Sequence, residues 1–177
     1  MRASGVARTV NIATRVMLVV LAVGCARGAP ATTTPRGAAD LSSGVTKTVE
    51  LWQQANEVRS FEALEKVYAP DGNVAVVQNG VLQLGWTAVA PVIKDRLARA
   101  KEIHIRMKDV KVMPVGRDAA IVVATMTREL TDGAATVTET GALTMMLRSI
   151  EQGTGCSGPC PLSWFIVAEH FSYKLQP

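Results

Sequence analysis

From residue 103 onward the helical spacing of apolar residues gives way to four long segments, Ile103 to Val112, Ala119 to Leu130, Ala134 to Leu147 and Ser163 to Tyr173. All four are rich in Val, Ile, Thr and Met, and β-branched side chains fit a pleated surface better than a helix. Turn chemistry separates them: Val115-Gly116-Arg117-Asp118, then Asp132-Gly133, then a stretch of Gly, Pro and Cys. Four long strands in succession demand an antiparallel sheet, and one face of such a sheet must be covered by another layer.

The cover lies upstream. Between Ser43 and Val58, Val45, Val49, Leu51, Trp52 and Ala55 recur at mainly helical spacing after a Ser-rich start. Ser60 precedes Phe61, Leu64, Val67 and Tyr68, which predicts a second, short helix capped by Ser60 and ended by Pro70-Asp71-Gly72. Val74 to Gln78 and Val81 to Leu84 flank Asn79-Gly80, the pattern of a tight hairpin. A third helix is expected after Thr87 and up to Ala100, with Val89, Val92, Ile93 and Leu97 on one side. The expected fold class is therefore α+β, three N-terminal helices packed on one face of a curved, mostly antiparallel sheet.

This domain is expected over residues 42–177. Ahead of it, Arg2, Arg8 and Arg15 precede an apolar run from Val16 to Val23 and then Gly24-Cys25. That is the order of a secretory signal peptide, expected over 1–24. As a helix, Val16 to Gly24 would rise about 14 Å at roughly 1.5 Å per residue, against a hydrocarbon core of about 30 Å. Leu21-Ala22-Val23-Gly24-Cys25 resembles a bacterial lipobox, which implies acylation of Cys25 and attachment to a membrane through the N-terminal lipid. Residues 25–41, dominated by Ala, Thr, Pro, Arg and Gly, hold too little apolar surface to fold and read as a tether. The expected location is the cell envelope, lipid-anchored and facing the periplasm or the exterior; without the lipid the product would be secreted.

The formal charge of +4 does not describe the domain. With Arg2, Arg8, Arg15, Arg27 and Arg36 set aside, 14 of the 19 basic residues remain against 15 acidic ones. Charges such as Lys94, Asp95, Arg96 and Arg99 mix signs as on a solvated helix face, so no nucleic-acid partner is expected. In an oxidising compartment Cys156 and Cys160 are expected to form a local disulfide, with no His or Asp nearby to make a metal site.

The order of elements and several residues resemble the nuclear transport factor two-like superfamily, and within it the SnoaL-like and ketosteroid-isomerase-like domains. The resemblance rests on Trp52 in the first helix and Leu64-Glu65-Lys66-Val67-Tyr68-Ala69-Pro70-Asp71 closing the second. It continues with Gly85, Gly116-Arg117-Asp118-Ala119-Ala120, Gly141 with Thr144, and Trp164, Ile166, His170 and Ser172 near the end. It implies a cone whose sheet and helices enclose a pocket, and in many members a homodimer through the outer sheet face. Carried over residue by residue, it puts Trp52 where the isomerases have an oxyanion-binding tyrosine, Val76 at their general base, and Leu143 or Thr144 at their third acid. None of these keeps the isomerase chemistry.

If the last strand turns Trp164, Ile166, Ala168, His170 and Ser172 inward, His170 becomes the best catalytic candidate, on a mostly apolar wall. The expected pocket is then Trp52, Tyr68, Trp86, Met145, Trp164, His170 and Ser172. Arg128 and Glu139, on adjoining strands, read as an exposed ion pair, Met146 as core or lining, and His104 as facing solvent or a dimer partner. No cofactor and no metal are expected. Three functions remain open: a binder of a small apolar molecule, an isomerase, cyclase or hydrolase using His170, and a dimerising envelope interaction module.

Overall fold

The first helix, α1 (Ala38–Glu57), forms because Leu41, Val45, Val49, Trp52 and Ala55 fall on one stripe, and all five are buried. The computed structural model describes residues 38–133, 135–151 and 162–176. The expected signal peptide, the acylated Cys25, most of the tether and the Cys156–Cys160 disulfide lie outside the described residues.

The chain turns at Arg59, where φ is 54°, and α2 (Phe61–Glu65) starts on Ser60, whose Oγ accepts from the Ala63 amide at 3.2 Å. The hairpin β1 (Ala75–Gln78) and β2 (Val81–Leu84) turns through Asn79 and Gly80, both at positive φ, as a two-residue primed turn requires. Then α3 (Trp86–Arg99) buries Val89, Ile93 and Leu97, and also Arg96. The long strands follow as β3 (Glu102–Val115), β4 (Ala119–Thr131), β5 (Thr136–Glu151) and β6 (Leu162–Gln176).

The six strands form one sheet in the order β2-β1-β6-β5-β4-β3, antiparallel throughout except for the parallel pair β1 and β6. This is the α+β architecture expected from the sequence. Helix α1 packs against β3 and β6, and the core fills the concave side, with Ile103, Val122, Met126, Leu143, Met145, Leu147 and Ile166 against Val45, Val49 and Leu64.

Two irregularities shape the sheet. In β3 the register slips between Lys108 and Lys111, where Asp109 has a φ of 55°. In β6 the register slips opposite Met146 and Leu147, which pair with Ala168 and Ile166 and leave Val167 as an extra residue. Such bulges bend a strand and increase its twist, which curves the sheet. Gly141 lets β5 and β6 approach: a Cβ there would stand 1.8 Å from the Ser172 carbonyl oxygen.

Candidate functional site

The β6 bulge decides what the interior presents. A strand alternates its faces with a period of two, and one extra residue inverts the alternation beyond it. Before the bulge Trp164 and Ile166 are buried; after it the buried residues are Glu169 and Phe171, while His170 and Ser172 are exposed. The expectation that His170 and Ser172 line the hollow is therefore corrected. They pair with each other on the outer face, Ser172 Oγ and His170 Nε2 lying 2.9 Å apart. His170 is thus removed as the base of an interior reaction.

In its place stands Glu169, 1% exposed. Its Oε2 accepts from the Tyr68 hydroxyl at 2.5 Å and from the Trp52 indole at 3.1 Å, and that indole also lies 3.2 Å from the Tyr68 oxygen. Across the sheet Glu169 is in register with Val76 on one side and Met145 on the other. A carboxylate absent at position 76 is thus present one strand away, on the same level of the sheet. Burial first, then the charge of Glu169, pushes the Tyr68 phenol well above its usual range, so Tyr68 is held as a neutral donor.

The network continues through α1 and α3. Asn56 donates to the Trp52 carbonyl at 2.9 Å and accepts from Arg96 Nη2 at 3.0 Å. Arg96 has no ion pair among the described residues, and its Nε and Nη1 are buried without partners. Burial, and next the nearby positive charge of Arg128, pull the Arg96 guanidinium down to about 10, with Glu169 and Tyr68 acting in the opposite sense.

Arg128 and Glu139 do pair across strands as expected, but inside the domain. They face each other in register, Arg128 Nε donates to Glu139 Oε2 at 2.6 Å, and their side chains are 1% and 7% exposed. The expectation of an exposed pair is corrected: β4 buries Val122, Ala124, Met126 and Arg128 in strict alternation, so the arginine follows its apolar neighbours inward. The guanidinium lies 5.2 Å from the centre of the Phe171 ring, and its Nη1 has no hydrogen-bond partner among the described residues.

The remaining expected pocket residues separate. Met145 and Trp164 belong to the apolar core, whereas Met146 is exposed on the outer face. Trp86 lies on the other side of Tyr68, with ring centres 5.2 Å apart, and donates its indole proton to Glu65 at 3.1 Å. Trp86, Tyr68, Glu65 and Phe165 line an open cleft of about 530 Å³ beside α2. His104 is exposed, 3.8 Å from Glu102. The interior is therefore not an apolar wall with one histidine; it is an apolar shell around Trp52, Asn56, Tyr68, Arg96, Arg128, Glu139 and Glu169. Sequence reasoning misses Glu169, Arg96 and Asn56, and the phase of Glu169 with the aromatic Phe171 is the available signal.

A curved six-stranded sheet with three helices ahead of its long strands defines a small α+β domain of the nuclear transport factor 2-like class. Residues 45–176 match the SnoaL-like domain, and the chain belongs to that family. Among solved structures, it is similar to an NTF2-like family protein from Streptomyces avermitilis assigned as a dehydratase. That pair shows 21% identity and a TM-score of 0.65, over 78% of this chain and 99% of the other. A protein from Novosphingobium aromaticivorans assigned as a scytalone dehydratase has 9% identity and a TM-score of 0.64, over 77% and 85% of the two chains. A nuclear transport factor 2-like superfamily protein from Salmonella enterica has 13% identity and a TM-score of 0.65, over 79% and 95%. Among curated proteins none matches. At these identities the solved structures speak to the fold alone.

Proposed function

We propose that this chain is an exported, lipid-anchored SnoaL-like domain that binds a small oxygen-bearing organic molecule inside its cone. The observation that carries this reading is the set of buried polar atoms without partners: Arg96 Nε and Nη1, Arg128 Nη1 and Glu169 Oε1. A buried donor or acceptor left unmade costs about 1–3 kcal/mol, and more when charged, so four such atoms on three buried side chains mark the domain interior as more polar than folding alone requires. These buried polar groups favour an oxygen-bearing ligand over the purely apolar one that the sequence suggests. The N-terminal charge, apolar run and Cys25 supply the address.

Thermal unfolding of the purified full chain against a panel of hydroxylated and carbonyl-bearing aromatic and alicyclic compounds tests the binding. At one hundred times Kd a ligand adds about 2.7 kcal/mol, which raises Tm clearly and saturably. No stabilisation by any member would reject the reading. Mass spectrometry of the envelope fraction tests the anchor: an acylated Cys25 is expected, and Cys25→Ser should release the protein from the membrane.

A second reading, an acid–base enzyme, is favoured by Glu169 having one oxygen held by Tyr68 and Trp52 and the other unengaged. A fixed carboxylate of this kind can exchange a proton with a bound substrate. Here Glu169→Gln would abolish turnover and keep binding. Unchanged turnover in that variant would remove the reading.

A further inference from the structure

We infer that the open cleft beside α2 is a second binding site, separate from the buried polar network, and that it takes a small organic cation of the quaternary or tertiary ammonium type. The cleft measures about 530 Å³, within the range of small-molecule pockets, about 300–1,000 Å³. Trp86, Tyr68 and Phe165 line it together with Glu65 and Lys66. Trp52, Asn56, Arg96, Arg128, Glu139 and Glu169 do not border it, so its occupation stands or falls independently of a ligand inside the cone.

Three aromatic rings form a ladder at this cleft. The ring centres of Tyr68 and Trp86 are 5.2 Å apart, and those of Trp86 and Phe61 are 5.9 Å apart, stacked with 27° between the planes. Aromatic faces carry negative potential, so such a ladder attracts cations and repels anions, tryptophan most strongly. The chain's own Lys94 already exploits this at the Phe61 end, its Nζ lying 4.3 Å from the ring centre. At the cleft the Trp86 ring is oriented by Glu65, whose Oε1 accepts the indole proton at 3.1 Å. That bond fixes the ring, brings a carboxylate to its edge, and polarises the indole toward a stronger hold on a cation. Glu65 has no ion pair among the described residues. Ring face and carboxylate therefore favour the same charge by two different attractions. Lys66 borders the cleft as well and pulls toward an anion, but the rings oppose one. An uncharged ligand would use the ring faces and leave Glu65 unmatched. A primary ammonium is strongly hydrated, whereas a charge wrapped in methyl groups keeps its attraction to the rings and sheds water readily, which suits a partly apolar cleft.

The test is a titration of the tryptophan-labelled full chain, read on the indole resonances by NMR, with compounds of one shape and different charge: choline, its uncharged isostere 3,3-dimethyl-1-butanol, and the anion 3,3-dimethylbutanoate. The Trp86 signal, assigned by its loss in Trp86→Phe, is expected to shift saturably with millimolar choline while the buried Trp52 and Trp164 stay in place. Choline is expected to bind at least about fivefold more tightly than either comparison compound. Glu65→Gln keeps an oxygen for the indole at an exposed position and should reduce that preference at least about threefold. No saturable Trp86 shift with choline, or equal or tighter binding of the isostere or the anion, would overturn the inference. So would a preference for choline untouched by Glu65→Gln. Because a phospholipid headgroup carries the same trimethylammonium, sedimentation with phosphatidylcholine vesicles separates the two sources. Equal sedimentation of wild type and Glu65→Gln is expected for a free cation, and sedimentation that falls in Glu65→Gln would overturn that assignment in favour of a headgroup.

Discussion

Replacing Glu139 by glutamine tests whether the charges inside the cone are as buried as their geometry states. The side chains of Arg128 and Glu139 are 1% and 7% exposed, and the guanidinium donates at 2.6 Å. An exposed pair of this type is worth about 0–1 kcal/mol, because water and salt screen both charges. Removing one partner of a buried pair instead leaves a desolvated charge and costs about 3–5 kcal/mol. The Glu139→Gln side chain would keep the shape and one acceptor oxygen, so the lower end, about 3 kcal/mol, is expected. For a domain of this size that is a fall in Tm of roughly 10 °C. Urea unfolding of wild type, Glu139→Gln, Arg128→Met and the double variant would give the coupling as well. A double variant with Glu139→Leu beside Arg128→Met should recover much of the loss, since two apolar side chains leave no charge behind. A loss below about 1 kcal/mol in both single variants, with additive effects when they are combined, would refute the buried placement.

Three other outcomes are expected. Gly141→Ala places a methyl 1.8 Å from the Ser172 carbonyl oxygen, so β5 and β6 must part and denaturant unfolding should register a loss of at least about 3 kcal/mol. His170→Ala should change stability by less than about 0.5 kcal/mol and leave ligand-induced Tm shifts intact, since the side chain is exposed on the outer face; a large loss of either would return His170 to the interior. Tyr68 has a folded-state pKa raised chiefly by burial and then by Glu169, so its contribution to stability is complete below the unfolded phenol value of about 10 and is lost as pH rises beyond it. In alkaline titration its phenolate absorbance should appear together with loss of near-ultraviolet circular dichroism, and Tyr68→Phe should remove that step; ionisation near the ordinary phenol value of about 10 with the fold intact would contradict the burial.

Much of the scaffold can be read from the chain. The Ser60 cap, the Asn79-Gly80 turn and the change from helical spacing to long β-branched runs are local signals, and each produces its element within a few residues of the expected bounds. The site is less legible for a physical reason. Which residues of β6 face inward depends on one bulge at Val167, set by pairing with β5 rather than by any property of Val167 itself. Simple alternation from Trp164 therefore gives the wrong phase and exchanges Glu169 for His170. The misplacement of Arg128 and Glu139 has another origin. Charge suggests exposure, although both residues continue the buried alternation of their strands, with Met126 before Arg128 and Leu143 after Glu139. Arg96 reads as part of a solvated face because its neighbours Asp95 and Arg99 are exposed, yet it falls three residues after Ile93 on the stripe that packs inward.

The central claim is that Glu169 lies inside the cone and holds the Trp52 indole. Exchange of the indole protons with solvent, followed by nitrogen-15 NMR on tryptophan-labelled full chain, addresses it directly, because the Trp86 indole donates to the exposed Glu65 and serves as an internal reference. Slow exchange at Trp52 by orders of magnitude relative to Trp86, with a shift of the Trp52 resonance in Glu169→Gln, is the predicted result. Equal exchange at the two indoles, or a Trp52 resonance indifferent to Glu169→Gln, would contradict it.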